Sequence, residues 1–190
     1  HHNGAFELVL RALGFTVERR HGHVWAVVPR LNHLVLLVTI DGRPWWPDLG
    51  LGDALRGPVE VTAGEIRQGP FRYEITEAGA GGWTFRHDPA ARSFPGLDVR
   101  AGRPSDAEVA AAHRVLSTPP GGRFTSALAV RRRGDAGADV LRGIRYQRTG
   151  DGAFTRDLAS YDDGVDRPPI MTGGPGRCTG QGRQNAPASW

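Results

Sequence analysis

The sequence predicts an α+β fold in which short antiparallel strands form a barrel or sandwich beside two helices. Apolar side chains recur with helical spacing over residues 5–13. A second helix is predicted to begin at the capping box that Ser105 forms with Glu108 and to run to about Leu116. Short β-prone runs separated by Gly and Pro are typical of antiparallel sheets. These runs cover residues 15–18, 24–28, 34–49, 58–62, 71–76, 83–87, 124–132 and 140–148.

The first helix has a suitable residue at each end. Asn3 is a predicted N-cap, because its side chain can accept a hydrogen bond from a free backbone N–H of the first turn. Gly14 is predicted to end the helix, because glycine readily adopts the left-handed conformation that closes many helices.

Composition and charge argue against several classes of protein. The 190-residue chain has 24 basic residues, all Arg, and 20 acidic ones, giving a net charge of +4. These charges are scattered and no recognition motif accompanies them, so a nucleic-acid partner is not expected. The longest apolar run, residues 34–40, is far shorter than the roughly 20 residues that span a bilayer, so no membrane partner is expected. The single cysteine, Cys178, excludes an internal disulfide framework and favours a cytoplasmic location.

A β-hairpin around Asp41-Gly42 carries the most informative residues of the chain. An Asp-Gly pair between two apolar runs predicts a two-residue turn, so that Ile40 faces Arg43. Continuing this register makes Asp48 a diagonal neighbour of His33 on the same face of the sheet, about 7–8 Å away at the backbone. The sequence thus predicts a histidine–carboxylate pair, although Pro47 interrupts the ladder there.

A histidine held by an aspartate is the orienting half of a catalytic triad. The nucleophile is not evident, because Cys178 lies in a Gly-rich segment and no G-x-S-x-G motif is present. His21 and His23 could ligate a metal, but no further ligand follows at suitable spacing, so no metal site is expected.

Ordered blocks of the sequence resemble the arylamine N-acetyltransferase family. From residue 1 to about 150 they follow the family's order: HHNGAF (1–6), ALGF (12–15), NHL (32–34), DLGLG (48–52), LSTP (116–119), RFT (123–125) and LRG (141–143). The resemblance implies a cysteine-protease-like acetyltransferase fold. Its parts would be the end of a helical domain (1–20), an antiparallel β-barrel (21–102), a partial α/β lid domain (103–150) and an irregular tail (151–190).

The resemblance also implies an activity. In this family a cysteine takes an acetyl group from acetyl-CoA and passes it, by a ping-pong mechanism, to an aromatic amine or hydrazine. His33 would be the general base and Asp48 its orienter, with the cysteine expected about two residues upstream of His1. The co-substrate-binding residues implied are Asn32, Leu51, Gly52 and Phe124, and no metal is implied. Leu51 stands where the family usually has Phe, which would change the shape of the pocket.

Two alternatives stay open from the sequence. One is the related amide synthase that closes macrolactam rings of the ansamycin type, which uses the same triad on a carrier-bound acyl chain. The other is a non-catalytic remnant of the same fold. The sequence gives no indication of the oligomeric state.

Overall fold

The computed structural model describes residues 2–25, 31–90, 94–118 and 128–159. Within these ranges the helices are α1, His2–Ala12, and α2, Asp106–Ser117. The strands are β1 (Val17–Val24), β2 (His33–Ile40), β3 (Arg43–Trp46), β4 (Val59–Glu60), β5 (Gly64–Gln68), β6 (Phe71–Gly79), β7 (Gly82–Arg86), β8 (Gly96–Arg100), β9 (Ala129–Arg133), β10 (Gly137–Arg142), β11 (Arg145–Gly150) and β12 (Phe154–Asp157). All of the strand pairs are antiparallel, which confirms the predicted α+β class.

Helix α1 ends as predicted but begins differently. Phe15 donates its backbone N–H to Leu10 and Gly14 donates to Arg11, each over 3.0 Å, which is a Schellman motif. Gly14 has the expected positive φ of 88°. The helix begins at His2, so Asn3 lies inside its first turn and its prediction as the N-cap is wrong. The second helix begins as predicted, with the capping box of Ser105 and Glu108 formed.

The predicted hairpin is confirmed. Ile40 pairs with Arg43 and the register continues to Val38 and Trp45. The turn residues Asp41 and Gly42 have φ of 51° and 74°, as a type I′ turn requires. The turn therefore sets the register of the strand that begins at His33.

This turn yields a test of stability. Gly42→Ala is expected to lower the free energy of unfolding by about 1 kcal/mol, because a Cβ strains the left-handed backbone. Gly57→Ala is the matched control, since no atom lies within 4 Å of the added Cβ at either position and only Gly42 has positive φ. Urea denaturation of the two variants measures the difference, and equal losses of stability would contradict the turn assignment.

Strands β1 to β8 form one sheet that curls around its core. The strand order is β4-β3-β2-β1-β8-β7-β6-β5. In a flat sheet β3 and β7 would lie about 19 Å apart, at four strand spacings. Instead the ring of Trp46 on β3 lies 5.1 Å from Phe85 and 6.0 Å from Trp83, both on β7. Trp46 is fully buried, so the core lies between the two halves of this curled sheet.

The strand boundaries within this sheet were only partly predictable. The runs at 15–18 and 24–28 were predicted as separate strands, but β1 is continuous over Val17–Val24, and residues 26–30 lie outside the described ranges. The predicted domain boundary after residue 20 therefore falls inside a strand. Strands β5 and β8 were not predicted, because each begins with Gly and carries few apolar side chains.

A second sheet follows α2, with the order β12-β11-β10-β9. The single strand predicted over 140–148 is wrong: the chain reverses at Gly143, whose φ is 56°, and Arg142 pairs with Arg145. The irregular segment predicted from residue 151 is wrong for Phe154–Asp157, which pair with β11 as β12.

Arg133 on β9 fastens the second sheet to the first. Its guanidinium donates to the carbonyls of Gln68 over 2.5 Å and Ala54 over 3.2 Å, and lies 4.3 Å above the Phe71 ring. Ala138 on β10 is fully buried in the core of the curled sheet. The two sheets therefore pack through a shared core and through cationic side chains such as Arg133 and Arg131, which pairs with Asp53.

Candidate active site

His33 and Asp48 are in contact. Nε2 of His33 lies 2.6 Å from Oδ2 of Asp48, and their side chains are 11% and 0% exposed. The histidine–carboxylate pair predicted from the hairpin is therefore present. Its distance is that of a strong, charge-assisted hydrogen bond.

The contact arises by a different route from the predicted one. Strand pairing reaches Trp45 opposite Val38 and β3 ends at Trp46, so the ladder never extends to Asp48. Pro47 follows at once and lacks the N–H that a continuing ladder requires. The chain turns there and brings the carboxylate onto the first residue of β2.

Asp48 accepts hydrogen bonds on both oxygens. Oδ1 accepts from the backbone N–H groups of Gly50 and Leu51, over 2.7 and 3.0 Å. Oδ2 accepts from Nδ2 of Asn3 over 3.0 Å and Nε1 of Trp46 over 3.3 Å, in addition to His33. A buried carboxylate with so many donors is held in one orientation.

These donors also control the charge of Asp48. Burial by itself raises the pKa of the Asp48 carboxyl. The positive charge and hydrogen bond of His33 lower it, as do the hydrogen bonds from Gly50 and Asn3, and the lowering prevails. Asp48 is therefore ionised at neutral pH and can stabilise a positive charge on the imidazole.

Asn3 was missed as a site residue because sequence reasoning assigned it to capping the helix. It is 3% exposed and its Nδ2 also donates to the carbonyl of Leu34 over 2.6 Å. Its Oδ1 accepts from the backbone N–H of Leu49 over 2.9 Å. The first turn of α1 is thus joined directly to the histidine–aspartate pair.

Two glycines make room for His33. A Cβ on Gly50 would lie 2.8 Å from Cε1 of the His33 ring. Gly22 pairs with His33 across β1 and β2, and a Cβ there would lie 2.7 Å from the His33 carbonyl oxygen. Both distances are too short for a real contact, so Gly50 makes room for the His33 ring and Gly22 makes room for its backbone.

The Gly50 contact can be tested. Gly50→Ala is expected to push the imidazole away from Asp48 and to weaken or abolish the downfield NMR resonance of the Nε2 proton, which a short hydrogen bond to a carboxylate produces. Leu49→Ala, at a side chain that is 54% exposed, is expected to leave this resonance in place. An unchanged resonance in Gly50→Ala would contradict the steric account.

The remaining imidazole nitrogen, Nδ1, has no hydrogen-bond partner among the described residues. Because Nε2 is directed at the carboxylate, it carries the proton in the neutral ring, and Nδ1 then presents a lone pair. The geometry therefore supplies a base whose tautomer is set by Asp48.

Three of the four predicted co-substrate-binding residues lie in the described part of the chain. Asn32 bonds through its side chain to the backbone N–H and carbonyl of Val24, over 2.8 and 3.3 Å, which ties β2 to β1. Leu51 is 6% exposed and belongs to the core, while Gly52 lies against the side chain of Arg131. Phe124 lies outside the described residues.

Two further features can be stated for the described part of the chain. Its His, Cys, Asp and Glu side chains form no cluster of three or more that could hold a metal ion. Neither of its helices has the length and apolar character needed to cross a membrane.

The fold is that of an N-acetyltransferase, as comparison with known proteins shows. The family model described as N-acetyltransferase matches residues 1–164. The arylamine N-acetyltransferase of Mycolicibacterium smegmatis is 32% identical over 184 residues, which cover 86% of this chain and 58% of that protein. The chain belongs to the arylamine N-acetyltransferase family.

Solved structures agree with this assignment. The M. smegmatis arylamine N-acetyl transferase has a TM-score of 0.73 at 27% identity, covering 87% of this chain and 64% of that one. The arylamine N-acetyltransferase of Mycobacterium marinum, solved in complex with CoA, has a TM-score of 0.73 at 23% identity and likewise covers 87% of this chain and 65% of that one. The chain thus spans less than two thirds of the length of these relatives.

Proposed function

We propose that this chain carries the base and orienter of an acetyltransferase that moves an acetyl group from acetyl-CoA to an aromatic amine or hydrazine. The observation that carries the proposal is the 2.6 Å contact between Nε2 of His33 and the buried Asp48, beside the first turn of α1. The names of the relatives support the same chemistry.

The nucleophile in this proposal is a cysteine about two residues upstream of His1, close to the start of α1. Asn3, in the first turn of the helix, lies 3.4 Å from Nε2 of His33, which supports a position near the imidazole for a residue that precedes the helix. The amino-terminal end of a helix and a neighbouring imidazolium both favour a thiolate. Cys178, the cysteine of this sequence, lies outside the described residues.

The first half-reaction forms an acetyl-enzyme. Nδ1 of His33 takes the thiol proton, and Asp48 stabilises the resulting imidazolium through Nε2–H. The thiolate attacks the carbonyl carbon of acetyl-CoA, a new carbon–sulfur bond forms, and the bond to the CoA sulfur breaks. CoA leaves as a thiol when the imidazolium returns the proton.

The second half-reaction transfers the acetyl group. The amine nitrogen attacks the thioester carbon and gives up a proton to Nδ1 of His33. The carbon–sulfur bond to the enzyme then breaks, and the cysteine regains its proton or stays as the thiolate. The product is an amide or hydrazide, and the enzyme returns to its starting state.

Four residues are proposed to bind the co-substrate or to shape its pocket: Asn32, Leu51, Gly52 and Phe124. Gly52 supports this role because it belongs to the loop that follows Asp48. Burial of Leu51 in the core supports an indirect effect on pocket shape. The arylamine N-acetyltransferase of M. marinum, solved in complex with CoA, supports CoA as the acyl carrier. The protein is proposed to work in the cytoplasm on small substrates, without a nucleic-acid or membrane partner.

The test uses the protein as its gene encodes it, with acetyl-CoA and a simple aniline. Acetanilide formation with parallel double-reciprocal plots, the sign of a ping-pong mechanism, is the expected result. If no acetanilide forms but an amide forms from a polyketide thioester, the proposal is overturned in favour of the amide synthase. If neither substrate gives a product and the residue about two positions upstream of His1 is not a cysteine, the chain is a non-catalytic remnant of the fold.

A further inference from the structure

Asn3 connects three parts of the site through one side chain. Its Nδ2 lies 2.6 Å from the Leu34 carbonyl on β2 and 3.0 Å from Oδ2 of Asp48. Its Oδ1 lies 2.9 Å from the backbone N of Leu49, in the loop that follows Asp48. The side chain itself is provided by α1. A helix, a strand and a loop therefore meet at a single buried carboxamide.

The hydrogen-bonding capacity of this carboxamide fixes its orientation. A primary amide has two N–H donors, and these match the Leu34 carbonyl and the Asp48 carboxylate. Leu49 presents a donor, which only the oxygen of Asn3 can accept. The opposite orientation would set like groups against each other at all three partners. The remaining neighbour, Nε2 of His33 at 3.4 Å, is directed to Asp48 at 2.6 Å and competes for the same oxygen.

We propose that Asn3 is a positioning residue, which holds Oδ2 of Asp48 on Nε2 of His33 and thereby keeps Nδ1 free to act as the base. The catalytic part of this inference rests on the proposed function. Asn3 donates to Oδ2 of Asp48, whereas the backbone N–H groups of Gly50 and Leu51 donate to Oδ1. Both oxygens of the carboxylate are therefore held in place. It also couples the start of α1, where the nucleophile is proposed, to the imidazole.

No other common side chain serves all three partners. Aspartate at position 3 would place a second carboxylate against Asp48 and could not donate to Leu34. Leucine or alanine would leave the Leu34 carbonyl and the Leu49 N–H without the partner that Asn3 gives each of them. Glutamine carries the same amide on a longer stem and would displace it from this cluster.

The experiment compares Asn3→Ala with Glu7→Gln. Glu7 lies one turn further along α1, is 2% exposed, and holds the helix on β1 through its ion pair with Arg19 at 2.7 Å. Its hydrogen bonds and ion pairs are made with Arg11 and Arg19, and not with His33 or Asp48. Glu7→Gln therefore weakens the docking of α1 without touching the pair, and it controls for a purely structural role of Asn3.

The main readout is the ¹⁵N and ¹H spectrum of the His33 imidazole, which does not require activity. The unchanged protein and Glu7→Gln are expected to show one neutral tautomer, with the proton on Nε2 and slow exchange of that proton. Asn3→Ala is expected to show a mixture of tautomers and fast exchange. A single tautomer with slow exchange in Asn3→Ala would overturn the proposal, as would the same change in Glu7→Gln.

A measurement on the unchanged protein removes any dependence on how the variant folds. The two side-chain amide protons of Asn3 should exchange with solvent much more slowly than those of Gln147, whose side chain is exposed. Equal exchange rates would overturn the proposal.

Activity then separates this proposal from the proposed function. Asn3→Ala is expected to lower kcat by about 10²-fold with the KM for acetyl-CoA little changed, since a small misplacement of catalytic groups has effects of that size. If the unchanged enzyme does not transfer acetyl groups, the proposed function fails while the imidazole spectrum still decides the role of Asn3. If the spectrum of Asn3→Ala is unaltered in an active enzyme, the positioning role fails and the proposed function stands.

Discussion

His33→Gln is expected to lower the rate of acetyl transfer by about 10³–10⁴-fold, with little effect on the fold. Glutamine can donate a hydrogen bond to Asp48, but it cannot take a proton from a thiol or an amine. General acid–base groups contribute about 10²–10⁴-fold, and removal of one member of a triad disables the others. The measurement is kcat/KM with acetyl-CoA and aniline at neutral pH.

His113→Gln serves as the control for this substitution. His113 lies on α2 with an exposed side chain and is outside the site. It is expected to keep the activity of the unchanged enzyme. A loss of less than about tenfold in His33→Gln would show that His33 is not the general base.

Asp48→Asn is expected to lower the free energy of unfolding by about 3 kcal/mol at neutral pH. The Asp48 side chain is 0% exposed and accepts from five N–H groups. The NH₂ group of asparagine cannot accept, so at least two of these donors lose their partner in the interior. Breaking a buried, hydrogen-bonded charge pair typically has an effect of this size. Urea denaturation measures it.

The pH dependence of this difference follows from the pKa of Asp48. His33 and the other donors hold that pKa below the ordinary value of about 3.9, against the effect of burial. A lowered folded-state pKa stabilises the protein fully above the unfolded-state value, and this stabilisation is lost as pH falls through the folded-state value. The stability difference between the unchanged protein and Asp48→Asn should therefore be full at about pH 5 and above, and shrink below about pH 4.

Asp157→Asn is the control for the acid effect. The pKa of Asp157 is also lowered, by its hydrogen bond with Arg145, but both side chains of this ion pair are exposed to solvent. Solvent screens such pairs, so the substitution is expected to change stability little. Equal losses for Asp48→Asn and Asp157→Asn would contradict the assigned burial and bonding of Asp48.

The histidine–aspartate pair could be predicted because short-range rules govern its hairpin. Asp41 and Gly42 both adopt positive φ, and the tight turn that they form fixes the register of the hairpin. This register brings the two ends of the hairpin together. The final approach of Asp48 could not be predicted. It depends on the break at Pro47 and on donors from Asn3 and Trp46, which come from separate elements.

Asn3 shows why the rest of the site was missed. An asparagine at the start of an apolar-periodic run favours an N-cap, and that local rule is usually sound. Here the tertiary contacts to Leu34, Asp48 and Leu49 outweigh it, and the helix begins two residues earlier than an N-cap at Asn3 would allow. Spacing along the chain carries no signal for partners that are about 30 to 46 residues away.

Strand prediction failed where the apolar pattern was weak or continuous. Strand β8 is held between β1 and β7, and the edge strand β5 pairs with β6 alone. Pairing with these neighbours, and not their own composition, makes them strands. The run from 140 to 148 appeared to be one strand because residues on both sides of Gly143 are β-prone. Only the positive φ of that glycine separates β10 from β11.

The central claim is that His33 and Asp48 activate a cysteine that precedes α1. The most direct measurement is intact-mass spectrometry of the gene-encoded protein after brief exposure to acetyl-CoA without any amine. The account predicts a mass gain of one acetyl group on that cysteine, release of one CoA per enzyme, and loss of both in His33→Gln. An enzyme that acetylates aniline without ever carrying the acetyl group, or that acetylates itself equally well in His33→Gln, would contradict it.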